Sequence, residues 1–180
     1  YQDQAAWRQE RVAVIGAGVI GLSTALLAQE ADYKVAIYSD RRPLETTSAQ
    51  AAANFKPHEV VYNSLAHTMV ELGWDGFAKI AKDHNSSKTG VRKHTHWEAS
   101  SAPKDESLAP YLAVVEDLQT HEHPNVPGGY AFGWRYNTFF IDTPVYLPWL
   151  TDKFLSQGGK LVLLKEKFQD QEQLGLLPAD

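Results

Sequence analysis

The sequence predicts an α/β fold built on a Rossmann-like nucleotide-binding unit. Three features carry the prediction. RVAVIG, from Arg11 to Gly16, is a near-continuous apolar run rich in β-branched residues, as a buried parallel strand is. Gly16, Gly18 and Gly21 follow it in a GxGxxG turn that opens a helix from Gly18 to about Glu30. KVAIY, from Lys34 to Tyr38, is a second buried strand, which completes a β-α-β unit of about 30 residues.

Each glycine has a physical reason. Gly16 permits the tight turn, Gly18 lets a pyrophosphate approach bare backbone, and Gly21 lets the helix pack closely on the strand. The helix start, through Ala17, Val19 and Ile20, offers backbone N–H groups and a partial positive charge to phosphate. Asp40 stands about 20 residues beyond Gly21, the spacing at which an acid accepts hydrogen bonds from ribose hydroxyls. Arg41 beside it reads either as a partner for a 2′-phosphate or as a solvated surface cation. A structural glycine turn alone has no use for Asp40, so the segment reads as a dinucleotide site.

Beyond Asp40 the pattern breaks. Arg41, Arg42 and Pro43 lead into ETTSAQAAAN, hydroxyl-rich and then small, with no third apolar strand close behind. Thr46, Thr47 and Ser48 can donate to phosphate, and Ala51 to Ala53 would let backbone approach a flat ring; an ordinary polar loop fits equally well. Ser64 to Asp83 is the clearest helix, capped by Asn63 or Ser64, with Leu65, Met69, Leu72, Phe77 and Ile80 as its core stripe. Asn85 to Gly90 reads as a turn, Val91 to Glu98 as a strand, and Ser100 to Ser107 as a surface loop. Tyr111 to Val115 and Tyr130 to Tyr136 read as strands separated by the loop HEHPNVPGG. Thr143 and Pro144 open another helix, which Pro148 strains, so the helix is expected to begin in earnest after it. Gly158 and Gly159 end it, and Lys160 to Leu164 is a last buried strand.

Composition narrows the function classes. The 180 residues are 43% apolar and 22% charged, the balance of a soluble globular protein. A net charge of −5 disfavours nucleic acid and anionic membrane as partners. There is no cysteine, which removes disulfides and thiolate metal sites. Val12 to Ala28 is uncharged and follows Arg8 and Arg11, imitating a targeting or membrane segment, but its glycines and shortness favour strand, turn and helix. His94 with His96, and His121 with His123, have the i, i+2 spacing of one strand face; without a third ligand they read as surface histidines, and no metal is expected. Trp74, Trp97, Trp134 and Trp149 read as packing residues, and Asp142 as structural. The start at Tyr1 rather than Met reads as a processed or trimmed end.

Three segments together resemble the D-amino-acid oxidase family: VAVIGAGVIGLSTALL, YSDRRPLETTSAQAAANFKP and FIDTPVYLPWLTDKFLSQGGKL. The first is common among flavoproteins; the Thr-Thr-Ser, Ala-Ala-Asn and Tyr-Leu-x-Trp-Leu elements of the others are more specific. The resemblance implies FAD as cofactor, with Gly16 to Gly21 on the pyrophosphate, Asp40 and Arg41 at the adenosine end, and Thr46, Thr47 and Ser48 on the phosphates. It implies Ala52, Ala53 and Asn54 along the flavin, and Glu166 passing the adenine. The family commonly has a glycine within Ala51 to Ala53 and a tryptophan where Phe55 stands.

By the same resemblance, residues 1–62 begin the FAD-binding domain, 63–140 contribute to a mixed-sheet substrate domain, and 141–180 return to the FAD-binding domain, which is incomplete at its C-terminal end. The implied activity is oxidation of a D-amino acid to an imino acid with oxygen as acceptor. The arginine and tyrosines that clamp a substrate carboxylate fall outside the matched motifs, so no catalytic residue is assigned to this chain. Either a missing C-terminal half or a second polypeptide is expected to complete the fold, and this piece alone is expected to be inactive. The alternatives are a related oxidase of glycine, sarcosine or D-aspartate, and a non-catalytic nucleotide-binding subunit. A soluble intracellular protein, cytoplasmic or peroxisomal, is the expected setting.

Overall fold

The computed structural model describes residues 10–51, 53–56, 63–102, 114–122, 125–170 and 172–177. They fall into two compact units, Tyr1–Ala51 with Leu147–Asp180, and Ala52–Tyr146.

The first unit is a parallel sheet in the order β1 (Arg11–Ile15), β2 (Lys34–Ser39), β7 (Lys160–Leu163), with β2 in the middle. Val14 pairs with Ile37 and Ile15 with Tyr38, while Tyr38 pairs with Val162 on its other side. A central parallel strand is covered on both faces, and Val35, Ile37 and Tyr38 are all buried. Helix α1 (Val19–Glu30) buries Leu22, Ala25 and Leu26. It stops where Asp32 turns left-handed at φ +66°, with Tyr33 N–H bonded to the Ala28 carbonyl and Asp32 N–H to Gln29. Val12 to Ala28 is thus strand, turn and helix. Among the described residues no helix is long and apolar enough to cross a membrane.

Helix α5 (Thr143–Ser156) corrects the expectation for its start. It is helical from Thr143, and Pro148 stands inside it. The bond that Pro148 forgoes would reach the carbonyl of Pro144, and the helix runs on to Ser156 past that loss. Gly158 ends α5 in the left-handed region at φ +84°, and Gly159 donates to Phe154.

The second unit is antiparallel and organised by β6 (Phe132–Ile141), five residues longer at its end than the sequence suggested. Strand β4 (Val91–Ser100) pairs with it along its full length. On the opposite edge β5 (Glu116–Glu122) pairs with Phe132 to Asn137, and β3 (Ala53–Asn54) with Phe140 and Ile141. Between them Phe55 N–H donates to the Phe139 carbonyl, and Thr138 Oγ1 to the Phe55 carbonyl. The expected strand at Tyr111 to Val115 is corrected. Its first three residues lie outside the described set, Val114 and Val115 pack as apolar residues without joining a strand, and the strand starts at Glu116. His121 and Glu122, expected in a loop, belong to that strand. Its alternation is masked in sequence by polar side chains on an edge strand.

Asn63 caps α3 (Ser64–Asp83), accepting from Ala66 N–H at 2.9 Å. The core stripe of this helix is also corrected. Ala66 and Val70 are the buried residues, whereas Leu65, Met69 and Leu72 are each about two-thirds exposed. Trp74 and Phe77 complete the inward side, with Trp74 4.7 Å from Phe139 and Phe55 set edge-on to both. The residues near 85–90 form a short helical turn, α4 (Ser86–Thr89), closed by left-handed Gly90.

Phe139 is fully buried at the centre of this aromatic group. Phe139→Ala is expected to cost about 3–5 kcal/mol, read as a lower urea midpoint with little change in slope.

Candidate functional site

The glycine turn is set by three backbone constraints. Gly16 has φ +100°, a region L side chains rarely adopt, and its N–H bonds the Tyr38 carbonyl at 2.8 Å, tying the turn to the end of β2. A Cβ on Gly21 would lie far inside van der Waals contact distance of the Gly16 carbonyl oxygen and touch Val14. Glycine at 21 is therefore the condition for α1 to start where it does. A Cβ on Gly18 would come within 3.0 Å of Ser48 Oγ.

Gly18 caps α1 with extended backbone, without a side-chain hydrogen bond, and no acidic residue occupies the first turn. An uncapped start of this kind suits an anion, because the first amides point outward with the positive end of the helix dipole. Ser48, in α2 (Thr47–Gln50), reaches across to it: Val19 N–H donates to Ser48 Oγ at 3.1 Å. That bond uses a lone pair of the hydroxyl and leaves its hydrogen to donate. Thr46 Oγ1 instead donates to the Pro43 carbonyl at 2.6 Å, so Thr47 and Ser48 are the members of the Thr-Thr-Ser group whose hydroxyl hydrogens are not spent there. Ala17 is fully buried and Ile20 is 80% exposed, and their apolar side chains leave only backbone groups to offer an anion.

Asp40 follows β2 directly, with Arg41 Nε 3.5 Å from its carboxylate, an exposed pair that contributes little to stability. Glu166 lies beyond β7, on the rim of a recess of about 420 Å³ that Tyr38, Val162, Leu164 and Phe168 also line. The first unit thus gathers the glycine turn, Ser48, Asp40, Arg41 and Glu166.

Ala53 and Asn54 form β3 in the second unit, and Ala52 lies outside the described residues. Phe55, where the family commonly has tryptophan, packs inward on Trp74 and Phe77. Asn54 is exposed and bonded to two histidines the sequence reading had placed at the surface. Asn54 Oδ1 is 2.8 Å from His94 Nε2, and its Nδ2 is 3.4 Å from His96 Nδ1. Alternation along β4 brings His94, His96 and Glu98 to one face. Glu98 is buried, bonded by Tyr136 at 2.8 Å and paired with Lys56 at 2.9 Å. The i, i+2 spacing announced the histidine pair; nothing in sequence announced Asn54 between them, because that contact depends on β3 pairing with β6. Among the described residues no group of three histidine or acidic side chains converges as a metal site.

Both imidazoles titrate below the ordinary 6.5. Burial is the main cause for His94, aided by the Arg92 charge. For His96 burial again leads, opposed by the Glu98 carboxylate and reinforced by Lys56 and His94. A histidine with a lowered folded-state value binds fewer protons than the unfolded chain, so the stability it contributes is present above pH 6.5 and lost as pH falls through that lowered value. Thermal melts are expected to fall below pH 6.5, less steeply in a His94→Gln, His96→Gln double variant. Gly21→Ala is expected to destabilise by about 1–3 kcal/mol through overpacking, measured by the same melts.

The model of the FAD dependent oxidoreductase family matches residues 11–167. Human D-aspartate oxidase is 31% identical over 157 residues, covering 83% of this chain and 46% of that protein. D-amino-acid oxidase of Dictyostelium discoideum is 32% identical over 176 residues, covering 88% of this chain and 47% of the relative. The chain therefore spans about half the length of the curated relatives it matches. Among solved structures, glycine oxidase from Geobacillus kaustophilus aligns with a TM-score of 0.65 at 16% identity, over 86% of this chain and 47% of that one. L-amino acid deaminase from Proteus vulgaris aligns with a TM-score of 0.66 at 13% identity, over 90% of this chain and 41% of that one, so these two share the fold. With the family model running from the first strand past the last, this chain belongs to the FAD dependent oxidoreductase family.

Proposed function

We propose that this chain is the cofactor-binding half of an FAD-dependent oxidase of D-amino acids, with oxygen as electron acceptor. The observation that carries the proposal is the glycine turn in its context: an uncapped helix start, bare backbone at Gly18 beside Ser48, and Asp40 at the end of the second strand. The relatives near 30% identity are named for oxidation of D-amino acids or D-aspartate, which supports this substrate class.

The residues present fit FAD. The amides of Gly18, Ile20 and Gly21 and the Ser48 hydroxyl, itself held by the Val19 N–H, are donors, and a pyrophosphate is an acceptor with two negative charges. Asp40 is the complementary acceptor for ribose hydroxyls, and Arg41 beside it balances its charge. Glu166 and its recess would take the adenine end. Ala52, Ala53 and Asn54 would serve the flavin end through backbone and one carboxamide. When bound, FAD supplies the two-electron oxidation of a Cα–N bond and the return of those electrons to oxygen. The contribution of this chain is to hold and orient; the residues that clamp a substrate carboxylate would lie in the part of the relatives it does not span. The proposed setting is intracellular, cytoplasmic or peroxisomal.

D-aspartate is the second reading for the substrate, favoured by the D-aspartate oxidase match at comparable identity. The deciding experiment uses the full-length protein loaded with FAD, mixed anaerobically with D-alanine or D-aspartate. Bleaching of the flavin by one of them, with recovery on admitting air, is the expected result. A flavin spectrum that neither substrate alters would contradict the oxidase reading. Asp40→Ala is expected to weaken FAD by about tenfold, the loss of one charge-assisted ribose contact, measured by flavin fluorescence titration.

A further inference from the structure

On the reading that Asn54 lies along the cofactor, we propose that His94 and His96 are positioning residues. They clamp the Asn54 carboxamide in one orientation, and protonation of His96 releases it. The clamp is a pair of bonds to opposite ends of one amide. Asn54 Oδ1 meets His94 Nε2 at 2.8 Å, and Asn54 Nδ2 meets His96 Nδ1 at 3.4 Å. A ring nitrogen facing a carbonyl oxygen must carry hydrogen, and one facing an NH2 group must be bare. His94 is thereby fixed with its proton on Nε2, and His96 with a bare Nδ1 and its proton on Nε2. These are the intrinsically favoured tautomers of a neutral imidazole. Turning the amide over would demand the less favoured tautomer at both rings.

The rings are themselves held. His94 meets Phe140 edge-on at 5.8 Å, and His96 lies 5.3 Å from fully buried Tyr136. An asparagine amide has two N–H groups and, on its oxygen, two acceptor positions. The clamp uses one of each. Because Asn54 is exposed, one N–H and one acceptor position remain for a ligand, at ends of the amide that the clamp fixes.

Charge around the clamp keeps it closed near neutrality. On β4 it is faced by Arg92, which sits over Phe140 of β6 at 4.4 Å, and by Glu98. Next to β3 stands Lys56, paired with Glu98; from β6 come the Tyr136 hydroxyl, also on Glu98, and uncharged Thr138. Glu98 alone would draw a proton onto His96, but Lys56 and Tyr136 already engage it. Once His96 is protonated, an N–H faces the Asn54 NH2 group, and the flip that relieves this contact breaks the bond to His94.

The test uses the full-length protein with ¹⁵N-labelled histidine, with and without FAD. Imidazole ¹⁵N shifts are followed by NMR across pH, and His94 and His96 are assigned from single variants. At neutral pH we expect His94 protonated on Nε2 and His96 bare on Nδ1. In Asn54→Asp, where a carboxylate accepts from both rings, both titration midpoints should rise by about one pH unit. A protonated His96 Nδ1 at neutral pH, or midpoints indifferent to Asn54→Asp, would overturn the clamp. A second arm measures the FAD dissociation constant by flavin fluorescence. It should rise about tenfold as pH falls through the His96 midpoint, and stay flat in His96→Phe. Shifts that obey the clamp, with FAD affinity flat in the parent protein too, would sink the cofactor role of Asn54 and leave the clamp standing.

Discussion

At the start of α1 two pieces of backbone touch with nothing between them: the Gly16 carbonyl and the α-carbon of Gly21. That contact lets the helix rise directly from the strand it follows. The positive φ of Gly16 turns the chain, and its N–H anchors the turn to Tyr38, so β1 and β2 are in register before the helix begins. The first amides of α1 then face outward in a fixed place, and Val19 meets Ser48. A methyl group at position 21 pushes the helix away, and each of these relations moves with it. The candidate dinucleotide site is thus a consequence of close packing, and its polar groups occupy positions that packing has set.

The second unit solves a different problem. Its sheet presents polar side chains on β4 while burying large aromatics beside them. Glu98 and Tyr136 share a buried hydrogen bond, and Lys56 supplies the opposite charge. A buried carboxylate without such partners would cost several kcal/mol, so the three residues stand or fall together. The histidines and Asn54 sit at the exposed end of the same network, where side chains are held firmly yet still reach outward.

Much of the first unit was legible in the sequence because its signals are local. RVAVI and KVAIY read as strands and are strands, and the glycine spacing follows from one turn. Only the central KVAIY is buried on both faces, and Val14 is the one buried residue of RVAVI. Ile15 and, on the last strand, Leu163 are about half exposed, because β1 and β7 flank β2. Gly158 marks the end of α5 by cap chemistry alone, as Asn63 and Gly90 mark helix ends in the second unit. The second unit was less legible because its pattern is set by partners distant in sequence. Glu116 to Glu122 is an edge strand of polar residues, recognisable only through β6. Leu65, Met69 and Leu72 have helical spacing, yet the side of α3 that turns inward is chosen by Trp74 and Phe77 against Phe139. Thr46 shows the limit for the site itself: its residue type suits a phosphate, and only the fold reveals that its hydrogen goes to Pro43.

The account makes the bare backbone at Gly18 the element that admits the pyrophosphate. Calorimetric titration of FAD into the full-length protein and its Gly18→Val variant tests this most directly, with circular dichroism as the control for folding. The account predicts a folded variant whose FAD dissociation constant is raised by about a hundredfold, because the side chain fills the space where phosphate meets the amides. Unchanged affinity in the folded variant would contradict it.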